Sequence, residues 1–134
     1  MTGMFRDRDS AERAWGSLSG RGYGSDDVSL LMSDETRKRH FGEHAPDTAL
    51  GDKAAEGAGA GGGGVAGGLL GALIGAGIPE DRAKYYDAGI REGGIVMGVH
   101  PRSAEDADYF EREWANYRGE QIYRPEYYRN RDAA

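Results

Sequence analysis

The stretch from Gly57 to Gly77 constrains the fold of this chain more than any other part of its sequence. It reads GAGAGGGGVAGGLLGALIGAG, with eleven glycines in twenty-one residues and no charged side chain. Glycine costs about 1 kcal/mol per residue relative to alanine in a helix interior, so an isolated helix would not be stable here. The composition leaves four interpretations: a phosphate-binding loop, a flexible linker, a membrane span, or a helix that packs through small residues.

A phosphate-binding loop requires more context than this block provides. Gly57, Gly59 and Gly62 match the pattern GxGxxG, but a dinucleotide-binding turn also needs a strand directly before the glycines. The preceding residues, GDKAAE, favour helix, and no Gly-Lys-Ser/Thr follows. We therefore predict no nucleotide or other cofactor, and we interpret the first part, Gly57–Gly64, as a linker.

The second part of the block has the pattern of a helix with two different faces. Glycines at 64, 67, 68, 71 and 75 form one stripe, and leucine and isoleucine side chains lie opposite them on a helical wheel. Such a stripe lets another helix approach closely, while the leucine face packs on a core. We predict a helix from Gly63 to Gly77 that contacts a helix of this domain or of a second subunit. The predicted oligomer interface is Gly64, Gly67, Gly68, Gly71, Gly75, Leu70 and Ile74.

Contact with a membrane is the rival interpretation. A transmembrane helix requires about 20 predominantly apolar residues. The uncharged run Gly57–Ile78 has that length but only six large apolar side chains, and its first eight residues are glycine and alanine. The run would therefore gain little free energy by crossing a membrane as a full span. The rival hypothesis is a peripheral membrane protein that inserts the Leu69–Ile78 face.

Predicted strands and helices alternate around the glycine block. The strands are expected at Thr2–Arg6, Val28–Ser33 and Ile95–Pro101, with an edge strand at Gln121–Tyr123. This order predicts an α+β protein: a small, open-faced, ferredoxin-like α/β sandwich with a Gly-rich helical insert between the second strand and the following helix. The expected domain covers residues 1–116, with the insert at 57–78 and a Tyr/Arg-rich tail at 117–134.

Capping residues predict where the helices begin. Asp9 or Ser10 is expected to cap the first helix, Pro79 to take the first position of a later one, and Ser103 to cap the last, with Asp106 three residues on. Apolar side chains three and four residues apart predict the buried face of each helix. Those faces are Ala11, Ala14, Trp15 and Leu18; Ala83, Tyr86 and Ile90; and Ala107, Phe110, Trp114 and Tyr117.

Composition limits the classes of function. A net charge of −6 opposes binding to nucleic acid, so no nucleic-acid partner is expected. The chain has no cysteine, which excludes disulfides, thiolate zinc sites and cysteine catalysis within it. The first residues, MTGMFRDRDS, lack the basic start and apolar segment of a secretory signal. We therefore expect a cytoplasmic protein.

One short motif has metal-binding spacing. His40, Glu43 and His44 match HxxEH, in which two histidines four residues apart on a helix share a metal ion and the glutamate acts as base. Gly42 weakens such a helix, Pro46 ends it, and no third ligand is placed nearby. A polar surface segment explains the motif more simply. We predict neither a metal site nor an enzyme, and a metal-binding hydrolase is the weakest alternative.

Tyrosine and arginine alternate in the C-terminal segment. Such a pattern suits stacking on single-stranded nucleic acid, but nearby acidic residues nearly cancel its positive charge. Docking onto the protein's own sheet or onto a neighbouring subunit, helped by cation–π pairs, is the favoured interpretation. The alternative is a disordered tail. The predicted contact residues are Tyr123, Arg124, Tyr127 and Tyr128.

Four segments of the sequence, read together, resemble a known family. They are MSDETRKRHF, GDKAAEGAGAGGG, GALIGAGIPEDRAKYYDAGIREGGIVMGVHPRS and DADYFEREW. These segments resemble the bacterial general stress protein family, also called low-temperature-induced or heat-induced stress proteins, whose members carry a glycine-zipper insert. The resemblance implies stress-associated expression and a small α/β domain, and it implies no particular reaction. This insert is shorter than usual, which leaves its glycine face without a partner helix in the same chain.

The sequence therefore predicts a non-enzymatic stress-response protein that self-associates through a glycine-zipper helix. The expected partner is a second copy of the chain, and a membrane surface is the partner in the rival hypothesis.

Overall fold

The computed structural model describes residues 1–41, 50–51, 71, 73–74 and 77–124. Helices and strands alternate within them, which makes the protein α+β as predicted. The elements, in chain order, are β1 (Thr2–Phe5), α1 (Arg8–Ser19), β2 (Val28–Leu31), α2 (Asp34–Phe41), α3 (Glu80–Arg91), β3 (Ile95–Val99), α4 (Ala104–Asn116) and β4 (Glu120–Tyr123). A short 3₁₀ helix, Ser25–Asp27, precedes β2.

The four strands form one antiparallel sheet in the order β2-β3-β1-β4. Thr2 pairs with Gly98 between the two central strands, and Val28 pairs with Val99 at one edge. The predicted edge strand at Gln121–Tyr123 is confirmed as β4, which joins β1 with an irregular register where Gln121 has a φ of 50°. Part of the segment predicted as a tail is therefore a strand of the sheet.

Helices α1 and α4 cover one side of the sheet, called here the first face. The apolar faces predicted for these helices are buried against Phe5, Leu30 and Met97 of the strands, except that Tyr117 is half-buried. The rings of Phe5 and Trp114 meet edge to face with their centroids 5.6 Å apart, a preferred arrangement for aromatic pairs. This cluster is the larger core of the domain.

Helix α3 packs on the opposite side, called here the second face. The predicted apolar face of α3 (Ala83, Tyr86 and Ile90) is buried in a second cluster with Met4 and Val96. Alternate residues of a strand point to opposite sides, so β1 and β3 contribute side chains to both cores. The prediction of an open-faced sandwich was wrong. Helix α3 covers the second face of the sheet, because its apolar side chains are buried against that face.

The helix starts differ slightly from the predicted ones. Asp7, in extended conformation, caps α1 by accepting a hydrogen bond from the Ser10 N–H at 2.7 Å. The prediction of Asp9 or Ser10 as the cap was wrong, because both residues already lie inside the helix. Ser103 caps α4 as predicted, with Asp106 N–H donating to its hydroxyl at 3.1 Å. Pro79 lies one position before α3.

Candidate functional site

Two residues of the predicted oligomer interface, Gly71 and Ile74, lie in the described part of the chain. Both have helical backbone and both are exposed, with 42% of Ile74 accessible. A β-carbon built on Gly71 would meet no atom within 4 Å. Residues three apart on a helix share a face, so these two form one exposed face, called here the Gly71–Ile74 face. The other predicted interface residues, Gly64, Gly67, Gly68, Gly75 and Leu70, lie outside the described residues.

Leu73 points away from this exposed face and into the protein. It is 4% exposed and belongs to the second-face core with Ile78, Tyr86 and Val96. The helical wheel predicted Leu73 and Ile74 on one side of the helix, opposite the glycines, although Ile74 was also a predicted interface residue. The structure separates them, because successive residues of a helix are about 100° apart around its axis.

The helical segment ends at Gly77, as the sequence predicts. Gly77 has a φ of 94°, its N–H donates to Ile74 O at 3.0 Å, and Ile78 N–H donates to Leu73 O at 3.1 Å. This is the Schellman arrangement, in which the residue after the left-handed glycine packs on the last turn of the helix. Leu73 and Ile78 make that apolar contact and anchor the end of the segment on the sheet.

The described residues bear on the membrane hypothesis in two ways. Among residues 1–41, 50–51, 71, 73–74 and 77–124, no helix combines the length and apolar composition that crossing a bilayer requires. Within the Leu69–Ile78 face, Leu73 and Ile78 are buried in the domain core, whereas Ile74 is exposed. Of these three side chains, only Ile74 could enter a membrane without leaving the core.

His40 is the described member of the predicted metal motif, and Glu43 and His44 lie outside the described residues. Its backbone oxygen accepts a hydrogen bond from Arg8 Nη1 at 3.0 Å. Partial burial, and then the neighbouring Arg39 charge, lower the pKa of His40. In the portion of the chain that the structure describes, no three metal-binding side chains gather at one place.

Tyr123 and Arg124 of the predicted tail contact dock onto the domain itself. The Tyr123 ring lies 5.4 Å from the guanidinium of Arg82, a cation–π distance. Arg124 is 5% exposed, and its Nη1 donates to Asp108 at 2.7 Å and to Glu111 at 3.0 Å, both on α4. Tyr127 and Tyr128 lie outside the described residues. The start of the segment is thus fixed to the sheet and to α4.

A hydrogen-bonded group that the sequence analysis did not find connects the end of α1 to the start of α4. The Tyr23 hydroxyl donates to Asp106 at 2.6 Å and accepts from the Arg102 backbone N–H at 2.6 Å. Arg21 also donates to Asp106, at 2.9 Å, and the Arg102 guanidinium lies 4.1 Å from the Tyr23 ring. Burial and the hydrogen bond to Asp106 raise the pKa of Tyr23 to about 12. These contacts fix loops and offer no reactive group.

A second set of hydrogen-bonded side chains lies at the opposite end of the sheet. Arg6 donates to Glu120 and to Glu92, each at 3.1 Å, and the Tyr85 hydroxyl donates to Glu120 at 2.6 Å. The hydrogen bonds from Tyr85 and Arg6 lower the pKa of Glu120. The hydrogen bonds to Glu120 and Glu92 raise the pKa of Arg6. This arrangement ties β4 to β1 and α3, because one guanidinium binds both carboxylates.

Comparison of the chain with known protein families, with curated proteins and with solved structures found no match. The class that the fold defines is an α+β domain with an exposed glycine–isoleucine face beside its second core.

Proposed function

We propose that this protein is a non-enzymatic, cytoplasmic stress-response protein that self-associates through its glycine-rich helix. The observation that carries the proposal is the Gly71–Ile74 face. An isoleucine and a glycine stand exposed on one side of a helical segment whose other side, at Leu73, is fixed in the core. A second copy of the same segment would cover the isoleucine and lie close to the bare backbone of the glycine.

The proposed architecture is a ferredoxin-like sandwich with an insert. In the sheet, β3 lies between β1 and β2, and β1 lies between β3 and β4. Helices α1 and α4 connect the members of these two interleaved strand pairs, which is the arrangement of a split βαβ unit used twice. The residues between β2 and β3 include α2, the glycine-rich block and α3. The insertion point supports the resemblance to the general stress proteins.

Self-association explains the described residues better than membrane insertion does. The affinity of an interfacial helix grows with the apolar area that it buries in the bilayer. Among the described side chains of the Leu69–Ile78 face, Leu73 and Ile78 already contribute their area to the second-face core, and Ile74 is the one left to insert. A contact between two helices needs less apolar area, because close backbone approach at glycine adds van der Waals contacts along the helix.

The oligomeric mass in solution tests the proposal. We expect light scattering and sedimentation velocity to show a dimer or a larger species for the wild-type chain. The variant Gly71→Leu should be shifted to the monomer, because leucine prevents close approach at the exposed face. Leucine has a higher helix propensity than glycine, so this loss would not reflect a weakened helix. Ile74→Lys should act in the same direction by placing a charge in the contact.

Gly16→Leu is the matched control. Gly16 is also an exposed helical glycine, in α1, and a β-carbon there would meet no atom within 4 Å. This variant should keep the wild-type mass. A wild-type chain that stays monomeric over the whole accessible concentration range would refute self-association, as would equal effects of the two leucine substitutions.

A further inference from the structure

A row of small residues crosses the second face of the sheet. The strand pairing places Ser29, Gly98 and Thr2 side by side on β2, β3 and β1, with Tyr123 of β4 beside Thr2. The next row carries larger side chains, since Leu31 and Val96 pair there. The sheet surface is therefore lower along the small-residue row. Strands lie about 4.8 Å apart, so the row from Ser29 to Thr2 is roughly 10 Å wide.

This depression forms the floor of a cleft of about 390 Å³, called here the sheet cleft. The segment leading into α3 lies over it and contributes Leu73, Gly77 and Ile78 to the lining. Leu31 and Val96 of the next row and Tyr123 of β4 also line the cleft. Small-molecule sites in proteins are typically clefts of about 300–1,000 Å³ with mostly apolar walls, and the sheet cleft falls within that range.

The charges around the cleft favour an uncharged occupant. Its described lining contains no lysine or arginine. The carboxylate of Asp27 at its rim already accepts hydrogen bonds from Gly24 N–H at 2.7 Å and from Arg102 at 3.1 Å. The Met1 amine donates to Val99 O at 2.7 Å, and burial lowers its pKa to about 6. A charged molecule would lose hydration here without gaining a counter-charge, which is costly in an apolar site.

A few hydroxyl groups remain to orient a ligand. Thr2 Oγ1 lies 2.9 Å from the Tyr86 hydroxyl on the floor, and Ser29 is exposed at the edge of the row. We propose that the sheet cleft binds a small, flat, uncharged molecule of one or two rings that carries a hydroxyl group. The ring would lie on the bare backbone of Gly98, and the hydroxyl would bond to Thr2 or Ser29. This site is separate from the Gly71–Ile74 face and does not depend on the proposed self-association.

Titration of the full chain with 2-naphthol, followed by amide chemical shifts in NMR spectra, tests the proposal. We expect saturable shifts that centre on Thr2, Ser29, Gly98 and Tyr123. Gly98→Leu should weaken binding by about tenfold or more, because its side chain would occupy the space that the ring needs. Ser29→Leu is a second variant for the same purpose. It lies at an exposed position of the edge strand β2, so it keeps the test valid if Gly98→Leu folds poorly.

Gly16→Leu is again the matched control and should bind 2-naphthol like the wild type. The proposal is overturned if the wild-type chain shows no saturable shifts, or if the shifts centre on other residues. It is also overturned if both cleft variants bind normally. Occupation of the cleft by a second copy of the chain would appear differently: apparent affinity would fall as protein concentration rises, and Gly98→Leu would lower the oligomeric mass. That result would also reject the small-molecule site.

Discussion

Gly89 of α3 lies directly against the thioether of Met4 in β1. A β-carbon built on Gly89 would overlap the Met4 sulfur and would stand 2.7 Å from the Met4 terminal methyl. Met4 is fully buried between the sheet and α3. Close packing through a missing side chain, which the sequence analysis expected in the glycine-rich block, thus occurs in the described residues where α3 crosses the sheet.

The first prediction concerns this contact. Gly89→Ala should destabilise the protein by about 1–3 kcal/mol, because the added methyl overpacks a filled core. Gly16→Ala makes the same change on the exposed side of α1, where the methyl meets nothing. This control should stabilise the protein by about 1 kcal/mol through helix propensity. Urea unfolding of the two variants measures the sign of each effect. A stabilising Gly89→Ala would contradict a core that is filled around the Met4 side chain.

The second prediction separates two kinds of glycine in the block. Gly77 has a φ of 94°, so Gly77→Ala should cost about 1–2 kcal/mol in left-handed strain, although space for the methyl is free. Gly71 is helical and exposed, so Gly71→Ala should stabilise by about 0.5–1 kcal/mol. Thermal and urea unfolding, at a protein concentration low enough to keep the wild type and both variants monomeric, give both values. Equal effects of the two changes would contradict the helix end at Gly77.

The third prediction concerns Tyr23 at neutral pH. Tyr23→Phe removes the hydrogen bonds to Asp106 and from Arg102 N–H. We expect the free energy of unfolding to fall by about 1–3 kcal/mol, because the Asp106 carboxylate and the Arg102 N–H each lose a hydrogen-bond partner. Tyr109→Phe is a useful control, since the Tyr109 ring keeps its contact with Phe110 and the Arg21 guanidinium 4.0 Å away. A Tyr23→Phe variant as stable as the wild type would exclude the network as a support for the loops.

The pH dependence of Tyr23 gives a fourth prediction. The pKa of Tyr23 is raised from 10.0 to about 12, first by burial and then by the hydrogen bond to Asp106. The folded state therefore favours the neutral phenol, and this contribution to stability is complete below pH 10 and is lost as the pH rises towards 12. The stability difference between the wild type and Tyr23→Phe should shrink over that interval. Tyrosinate absorbance should show one late-titrating group that the variant lacks.

The fifth prediction concerns Arg124. Arg124→Met should destabilise the protein by about 2 kcal/mol, since it removes charge-assisted hydrogen bonds to Asp108 and Glu111 from a buried guanidinium. The matched control is Arg13→Met, which removes an exposed ion pair with Asp9 and should cost less than about 0.5 kcal/mol. Amide exchange in β4 should also accelerate in the first variant alone. Unchanged exchange there would mean that Arg124 does not hold the end of the sheet.

Local sequence signals predicted most of the helices and strands of this domain. Spacing of three and four residues identified the buried faces of α1, α3 and α4, because each helix packs on a single side of the sheet. Ser103 and Gly77 were identified as helix ends, because capping and left-handed turns depend on a few neighbouring residues. The cap of α1 was missed because three candidate acceptors, Asp7, Asp9 and Ser10, stand within four residues.

Long-range contacts could not be predicted in the same way. Nothing in the spacing of Met4 and Gly89 shows that they meet, because the contact depends on how α3 crosses the sheet. The Tyr23–Asp106 pair joins residues far apart in sequence. The only local sign was Tyr23 itself, an apolar ring directly after a helix-ending glycine, where such residues commonly pack back. The sheet cleft likewise exists only once the strand register places Ser29, Gly98 and Thr2 together.

The position of β1 in the sheet has a consequence for how the chain folds. This strand lies at the centre, and its neighbours β3 and β4 are the last two strands of the described chain. During synthesis the ribosome must add every residue up to at least Ile95, the partner of Phe5, before β1 can begin to pair. Sheets built from such distant pairings form slowly and leave apolar strands exposed meanwhile. The segment Thr2–Phe5 therefore waits for its strand partners through most of the synthesis of the described chain.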